Sequence, residues 1–219
     1  MGTTLKDLEI IYVGDPMCSW CWGFAPVIEQ IRRDYGDTAA FRIIVGGLRP
    51  GEAAQKMEAP LKTYIREHWQ HVKEASGQPF NFEFFERTDF LYDTEPPARA
   101  VVTVRHLAPE KELPFLNSLQ QAFYSRNLDI TAASNYEDIL LQYSLDPVAF
   151  LAAFHSEEMK TATRKDFEEA RRFGIRGFPS VLLRNGGKMA LLAHGYQTFE
   201  ALAPHIRKFF EMDGVDAPG

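Results

Sequence analysis

Two cysteines three residues apart, in Cys18-Ser19-Trp20-Cys21, are the whole cysteine complement of this 219-residue chain, and their surroundings restrict the fold more than any other feature. Ahead of them Leu8-Glu9-Ile10-Ile11-Tyr12-Val13 reads as a short buried strand, and behind them Gly23 to Asp34 reads as a helix. A Cys-x-x-Cys at a strand-to-helix turn sets the first sulfur at the helix N-terminus and the second one turn below. Thiols so placed join and part at little cost, which is redox chemistry. With no further cysteine to build a structural bridge, function is to be sought at this pair.

Composition limits the partners. Hydrophobic residues make up 45% of the chain, with 17 Phe, 8 Tyr and 3 Trp, enough for a full core. The length suits one large domain or a domain carrying an inserted one. A formal charge of -6 without an offsetting basic cluster argues against nucleic acid or an anionic membrane as the main partner. No stretch approaches the ~18 uninterrupted apolar residues of a membrane span. The first residues lack the basic, apolar and small-residue succession of a secretory leader, so a cytoplasmic location is expected. In a reducing compartment a lone Cys-x-x-Cys is more often catalytic or metal-binding than structural.

Along the chain, residues 1–50 read β-α-β, with a strand over 41–45 stopped by Gly46-Gly47 and a turn at Leu48-Arg49-Pro50-Gly51. Residues 51–156 offer no convincing pair of alternating strands. Apolar residues there recur at helical spacing, as in Met57-Leu61-Tyr64-Ile65-Trp69 and Phe115-Leu119-Ala122-Phe123. Further helices are predicted over 136–143 and 147–154, the latter with Asp146 as N-cap and Pro147 in the first helical position. Residues 157–212 read α-β-β-α: a helix from Glu157 to Phe173 closed by Gly174, strands over 179–184 and 188–193 joined by Asn185-Gly186-Gly187, and a last helix from Thr198 to Met212. Residues 213–219 suit a flexible tail. Without the helical block the order is that of thioredoxin. The expected class is therefore α/β, a thioredoxin fold in two halves (1–50 and 157–212) around an inserted all-helical domain (51–156).

The spacing also assigns roles. Cys18 is expected to be the exposed attacking sulfur and Cys21 the buried resolving one, with a mixed disulfide between Cys18 and substrate displaced by Cys21. A bridge that merely staples the helix start is the bland alternative. A zinc site is another, but it needs four ligands, and His68-x-x-His71 reads more simply as a solvated helix face around Trp69; no metal is expected. A second signal lies far away in Gly177-Phe178-Pro179-Ser180. Proline at the start of a strand suits a cis peptide, which is almost only a proline feature. In a thioredoxin layout this loop faces the cysteines and leaves the Phe178 backbone free for an extended substrate segment. Trp20, Phe178 and Pro179 are thus the expected substrate contacts, and Ser19 and Trp20 the residues that tune the redox pair. The run Phe80-Asn81-Phe82-Glu83-Phe84-Phe85 is either a docking surface or, the favoured reading, buried between the two domains.

These residues carry a family resemblance. Asp15-Pro16-Met17-Cys18-Ser19-Trp20-Cys21-Trp22-Gly23-Phe24, Gly46-Gly47-Leu48-Arg49 and Gly174-Ile175-Arg176-Gly177-Phe178-Pro179-Ser180 resemble the DsbA-like branch of the thioredoxin superfamily. Within it the chain looks like the cytoplasmic predicted protein-disulfide isomerases, related to FrnE-type proteins and to 2-hydroxychromene-2-carboxylate isomerases. The resemblance implies Cys18 as nucleophile, Cys21 as resolving thiol and Pro179 as cis-proline. It also places Asp93-Thr94-Glu95-Pro96 near the active site. It implies a thiol–disulfide oxidoreductase or disulfide isomerase acting on protein or small-molecule disulfides, as a monomer or weak homodimer. No bound cofactor is implied, though glutathione is a candidate co-substrate. Two alternatives stay open: a glutathione-dependent isomerase or transferase of the chromene-carboxylate type, whose members usually carry Ser at the first cysteine position, and a non-catalytic redox sensor or binding module. Ser19-Trp20 matches neither the Pro-His of periplasmic DsbA nor the Gly-Pro of thioredoxin, so the direction of electron flow stays open too.

Overall fold

The computed structural model describes residues 8–211; the expected tail, the first seven residues and Met212, the expected end of the last helix, fall outside them. Four strands form one sheet in the order β2-β1-β5-β6: β1 (Leu8–Gly14), β2 (Ala40–Val45), β5 (Ser180–Asn185) and β6 (Lys188–His194). β1 pairs parallel with β2 and antiparallel with β5, and β5 with β6 antiparallel, so β1 is a central strand. This explains its nearly unbroken apolar run, because both of its faces are covered. Leu8, Ile10 and Tyr12 enter the main core on the side of α1 (Ser19–Tyr35). Ile11 and Val13 meet Ile44, Leu182, Ala170 and Ile175 on the other side, beneath α7 (Glu157–Arg172).

Between β2 and α7 run α2 (Ala59–Ser76), α3 (Glu95–Leu107), α4 (Glu112–Tyr124), α5 (Glu137–Gln142) and α6 (Pro147–Phe154); α8 (Phe199–Glu211) closes the described chain. Local chemistry sets several boundaries. Asp146 accepts from Val148 N at 2.9 Å at the start of α6, and Ser156 Oγ from Met159 N at 3.2 Å at the start of α7. Gly77 and Gly174 follow α2 and α7 at φ of +73°, the left-handed conformation in which glycine meets no Cβ penalty.

One expectation is corrected and one choice between readings is decided. The stretch 51–156 does contain a strand pair, antiparallel β3 (Gln55–Lys56) and β4 (Leu91–Tyr92). Each is two residues long, too short for alternation to register in the sequence. The Phe80–Phe85 run is buried rather than a docking surface, in agreement with the favoured reading. Phe80, Phe84 and Phe85 are buried, and with Phe82 they surround the Trp69 ring at centroid distances of 5.2, 5.0, 4.8 and 6.1 Å. That cluster sits among the helices, reaching Phe123 and Tyr124.

One apolar cluster extends from β1 and α1 into these helices without a break. A proline helps join them. Pro26 lies inside α1 and has no N–H to give the Trp22 carbonyl, which instead accepts from the Gln78 side chain at 3.1 Å. The Trp22 indole donates to the Pro79 carbonyl at 3.0 Å and stacks on Tyr124 at 6.3 Å. On the far face, Asp166 of α7 accepts from both terminal nitrogens of Arg105 on α3, at 2.9 and 3.0 Å, and from Val45 N at 3.0 Å. Arg105 also donates to the Ile43 carbonyl at 2.9 Å, so one buried carboxylate ties α3, α7 and β2 together.

Candidate active site

β1 ends at Gly14, and the chain turns through Asp15-Pro16-Met17, with Cys18 N donating to the Asp15 carbonyl at 3.1 Å. Cys18 is the extended N-cap of α1, and its carbonyl accepts from Trp22 N at 3.1 Å. No acidic residue occupies the first turn of α1, so the positive end of the helix dipole is not offset there. Both cysteines are free thiols. The Cys18 thiol donates to the Phe178 carbonyl at 3.5 Å across 160 residues of chain. The Phe178–Pro179 peptide is cis. Phe178 comes this close because Gly46 has no side chain, and a Cβ there would lie 2.1 Å from the ring.

Cys18 is not exposed in the way the spacing suggested. It retains 7% of its surface, against 0% for Cys21. The cause is long-range. The Phe178 carbonyl reaches the thiol, and residues of α2 and β4 wall the cleft on which it lies. What remains is a cleft of about 240 Å³ lined by Cys18, Ser19, Trp20, Arg49, Tyr92 and Phe178, with Tyr64 and His68 of α2 at its wall. Trp20 is half-buried, its ring 5.7 Å from that of Tyr196. The structure thus brings Cys18, Ser19, Trp20 and Phe178 to one cleft; Pro179 follows in the loop, and its carbonyl accepts from Gly195 N at 2.8 Å. His71 does not line the cleft, whereas His68 does, with Nδ1 2.9 Å from the Tyr64 carbonyl.

Beneath the cleft, burial pushes the Cys21 thiol well up from its ordinary range, and the neighbouring Cys18 sulfur adds to this. Opposing that rise are Asp15 N, which donates to Cys21 Sγ at 3.5 Å, and the Tyr12 phenol, which hydrogen-bonds the same sulfur. Tyr12 points there from β1, buried to 1%. Its ring occupies the space over Gly14, where a Cβ would lie 2.6 Å from the phenol oxygen. The turn is held by a fully buried carboxylate. Asp15 accepts from Met17 N and Leu48 N, both at 2.8 Å, and burial raises its pKa to about 6 against these hydrogen bonds.

Sequence reasoning missed Tyr12, Tyr92 and Gln120 as site residues, and named Asp15 only within the motif that carries the family resemblance. The Tyr92 phenol donates to the Met17 carbonyl and Gln120 Nε2 to the Asp15 carbonyl at 3.5 Å. The segment Asp93-Thr94-Glu95-Pro96 does reach the site: Thr94 exchanges hydrogen bonds with Arg49 through its hydroxyl and its N–H, at 3.0 and 3.1 Å. A lone acid between an apolar strand and a Cys-x-x-Cys was the one readable signal for Asp15; the others had none.

A family model described as DSBA-like thioredoxin domain matches residues 9–207. Among solved structures, a candidate protein disulfide isomerase from Nitrosomonas europaea is 34% identical, with 95% of this chain and 100% of that one covered and a TM-score of 0.88. The cytosolic disulfide reductase DsbM from Pseudomonas aeruginosa, solved with GSH, shares the fold at 22% identity, covering 93% and 98% of the two chains, with a TM-score of 0.73. The ClpXP adapter protein SpxH of Halalkalibacterium halodurans is 24% identical over 187 residues, 82% of this chain but only 60% of that protein's length. A second SpxH, from Bacillus subtilis, is also 24% identical and likewise covered over 60% of its length.

Proposed function

The chain belongs to the DSBA-like thioredoxin domain family, and on that premise we propose that it is a thiol–disulfide oxidoreductase working through Cys18 and Cys21. The observation that carries this is the arrangement of the two free thiols: Cys18 at the N-terminus of α1, on a cleft and against the cis-proline loop, with Cys21 sealed below. Cys18 thiolate attacks one sulfur of a disulfide substrate, whose other sulfur leaves as a thiol. Cys21 then attacks the Cys18 sulfur, the second substrate thiol departs, and Cys18 and Cys21 are left joined. Burial keeps Cys21 protonated until the mixed disulfide forms, when Tyr12 and Asp15 N are in place to stabilise its thiolate. A cytoplasmic reductase or isomerase, with glutathione as co-substrate, agrees with the likeness to a cytosolic reductase whose structure was solved with GSH.

The test is reduction of insulin by dithiothreitol, with the protein and its Cys18→Ala variant. Turnover above background is expected only with Cys18 present, and equal rates for the two proteins would remove the proposal. A second reading, a redox-dependent binding module, is favoured by the likeness to ClpXP adapters. It predicts slow disulfide exchange together with partner binding that changes when the pair is oxidised.

A further inference from the structure

The cleft beside Cys18 is charged against the trend of the chain. No acidic side chain lines it, although the net charge of the protein is -6. Its permanent cation is Arg49, and this guanidinium is held without being neutralised. Nε donates to Gln55 Oε1 at 3.2 Å, the guanidinium carbon lies 5.5 Å from the Tyr92 ring centroid, and the backbone is pinned on both sides by Thr94. Among the described residues Arg49 makes no ion pair. A planar fork set over an aromatic face in the wall of a cleft, with Nε held by Gln55, matches the two oxygens of a carboxylate. The nucleophilic sulfur lines the same cleft.

We propose that Arg49 seats a carboxylate of the disulfide substrate, so that the site selects small disulfides bearing a carboxylate near the sulfur, glutathione disulfide among them, over neutral or cationic ones. This rests on the oxidoreductase reading of Cys18. The reaction itself is unchanged: one disulfide is reduced to two thiols as the Cys18 and Cys21 thiols are oxidised to one disulfide. Arg49 acts on which disulfide is held.

The experiment mixes pre-reduced protein with 3,3′-dithiodipropionate, bis(2-hydroxyethyl) disulfide or cystamine, three disulfides of similar size that are anionic, neutral and cationic. The second-order rate of loss of titratable protein thiol is read for each. The anionic substrate is expected to lead, and in Arg49→Gln the anionic-to-neutral rate ratio is expected to fall about tenfold, the scale of one charge-assisted hydrogen-bonded pair. Arg49→Lys should retain part of the preference. In the unaltered protein, added salt should slow the anionic substrate and leave the neutral one, a measurement independent of how the variants fold. A ratio that is the same in Arg49→Gln, or an anionic rate insensitive to salt, overturns the proposal. If none of the three oxidises the protein faster than Cys18→Ala, the oxidoreductase reading fails instead.

Discussion

Replacing Gly46 by alanine tests whether the contact between the β2 turn and the cis-proline loop sets the geometry at Cys18. The added Cβ would lie 2.1 Å from Phe178 Cε1 and 2.2 Å from Cζ. Carbon atoms settle at about 3.5–4.0 Å, so the ring has to retreat by about 1.4 Å. It cannot do so freely, because Phe178 also packs against the apolar cluster that contains Ile11, Val13, Ile44 and Leu182. Overpacking of this kind costs about 1–3 kcal/mol. For a chain of this length that lowers Tm by about 2–12 °C. The Phe178 carbonyl, 3.5 Å from Cys18 Sγ, moves with the ring. A misplacement of about 1 Å at a reacting centre costs up to ~10²-fold in rate, so dithiothreitol-driven insulin reduction should fall about tenfold or more. Phe178→Leu removes the offending edge. A double-mutant cycle in thermal unfolding should then show that the pair is less destabilised than the sum of the singles by about 1 kcal/mol or more. A Gly46→Ala variant with unchanged Tm and turnover, or strictly additive singles, would refute the reasoning.

Two further outcomes follow from buried carboxylates. The Asp15 carboxyl should titrate near pH 6 in carbon-13 NMR of the labelled side chain; a midpoint at or below the ordinary 3.8 would show that the hydrogen bonds from Met17 and Leu48 outweigh burial. Because its folded pKa is raised, the group favours the folded state fully below the unfolded value near 3.8, and that contribution is lost as pH rises through about 6. The loss amounts to roughly 3 kcal/mol, readable as a decline in unfolding free energy across that window. Asp166→Ala strips Arg105 of its bidentate partner and leaves Val45 N without an acceptor. It should cost about 3 kcal/mol in urea unfolding, and a loss under about 1 kcal/mol would mean that water replaces the carboxylate.

Elements legible in the sequence are those whose cause is local. The apolar run of β1, the Asp146 cap and the Gly174 stop each depend on neighbours a few residues away, and the structure places each within a residue or two of the expectation. The pairing of Gln55–Lys56 with Leu91–Tyr92 was not legible, because two residues carry no period and their partners are distant. The Phe80–Phe85 run shows the same division. Its composition favoured burial, but only the position of Trp69 decided what covers it.

At the candidate site the sequence alone determined which reactive groups stand there: two thiols on one helix turn, after a buried strand, with no other cysteine to divert them. It also singled out the proline loop that meets them. Tertiary structure decided how far Cys18 is open, what stands beside Cys21, and which charge faces the cleft. Those answers come from Phe178, Tyr12, Tyr92 and Arg49, brought to the cysteines by separate elements. Hydrogen bonds and burial act over a few ångströms of space whatever the distance along the chain. Only the packing of the sheet, α1 and α2 could therefore convert an expected exposed nucleophile into a sulfur with 7% of its surface open, at the edge of a narrow and positively charged cleft.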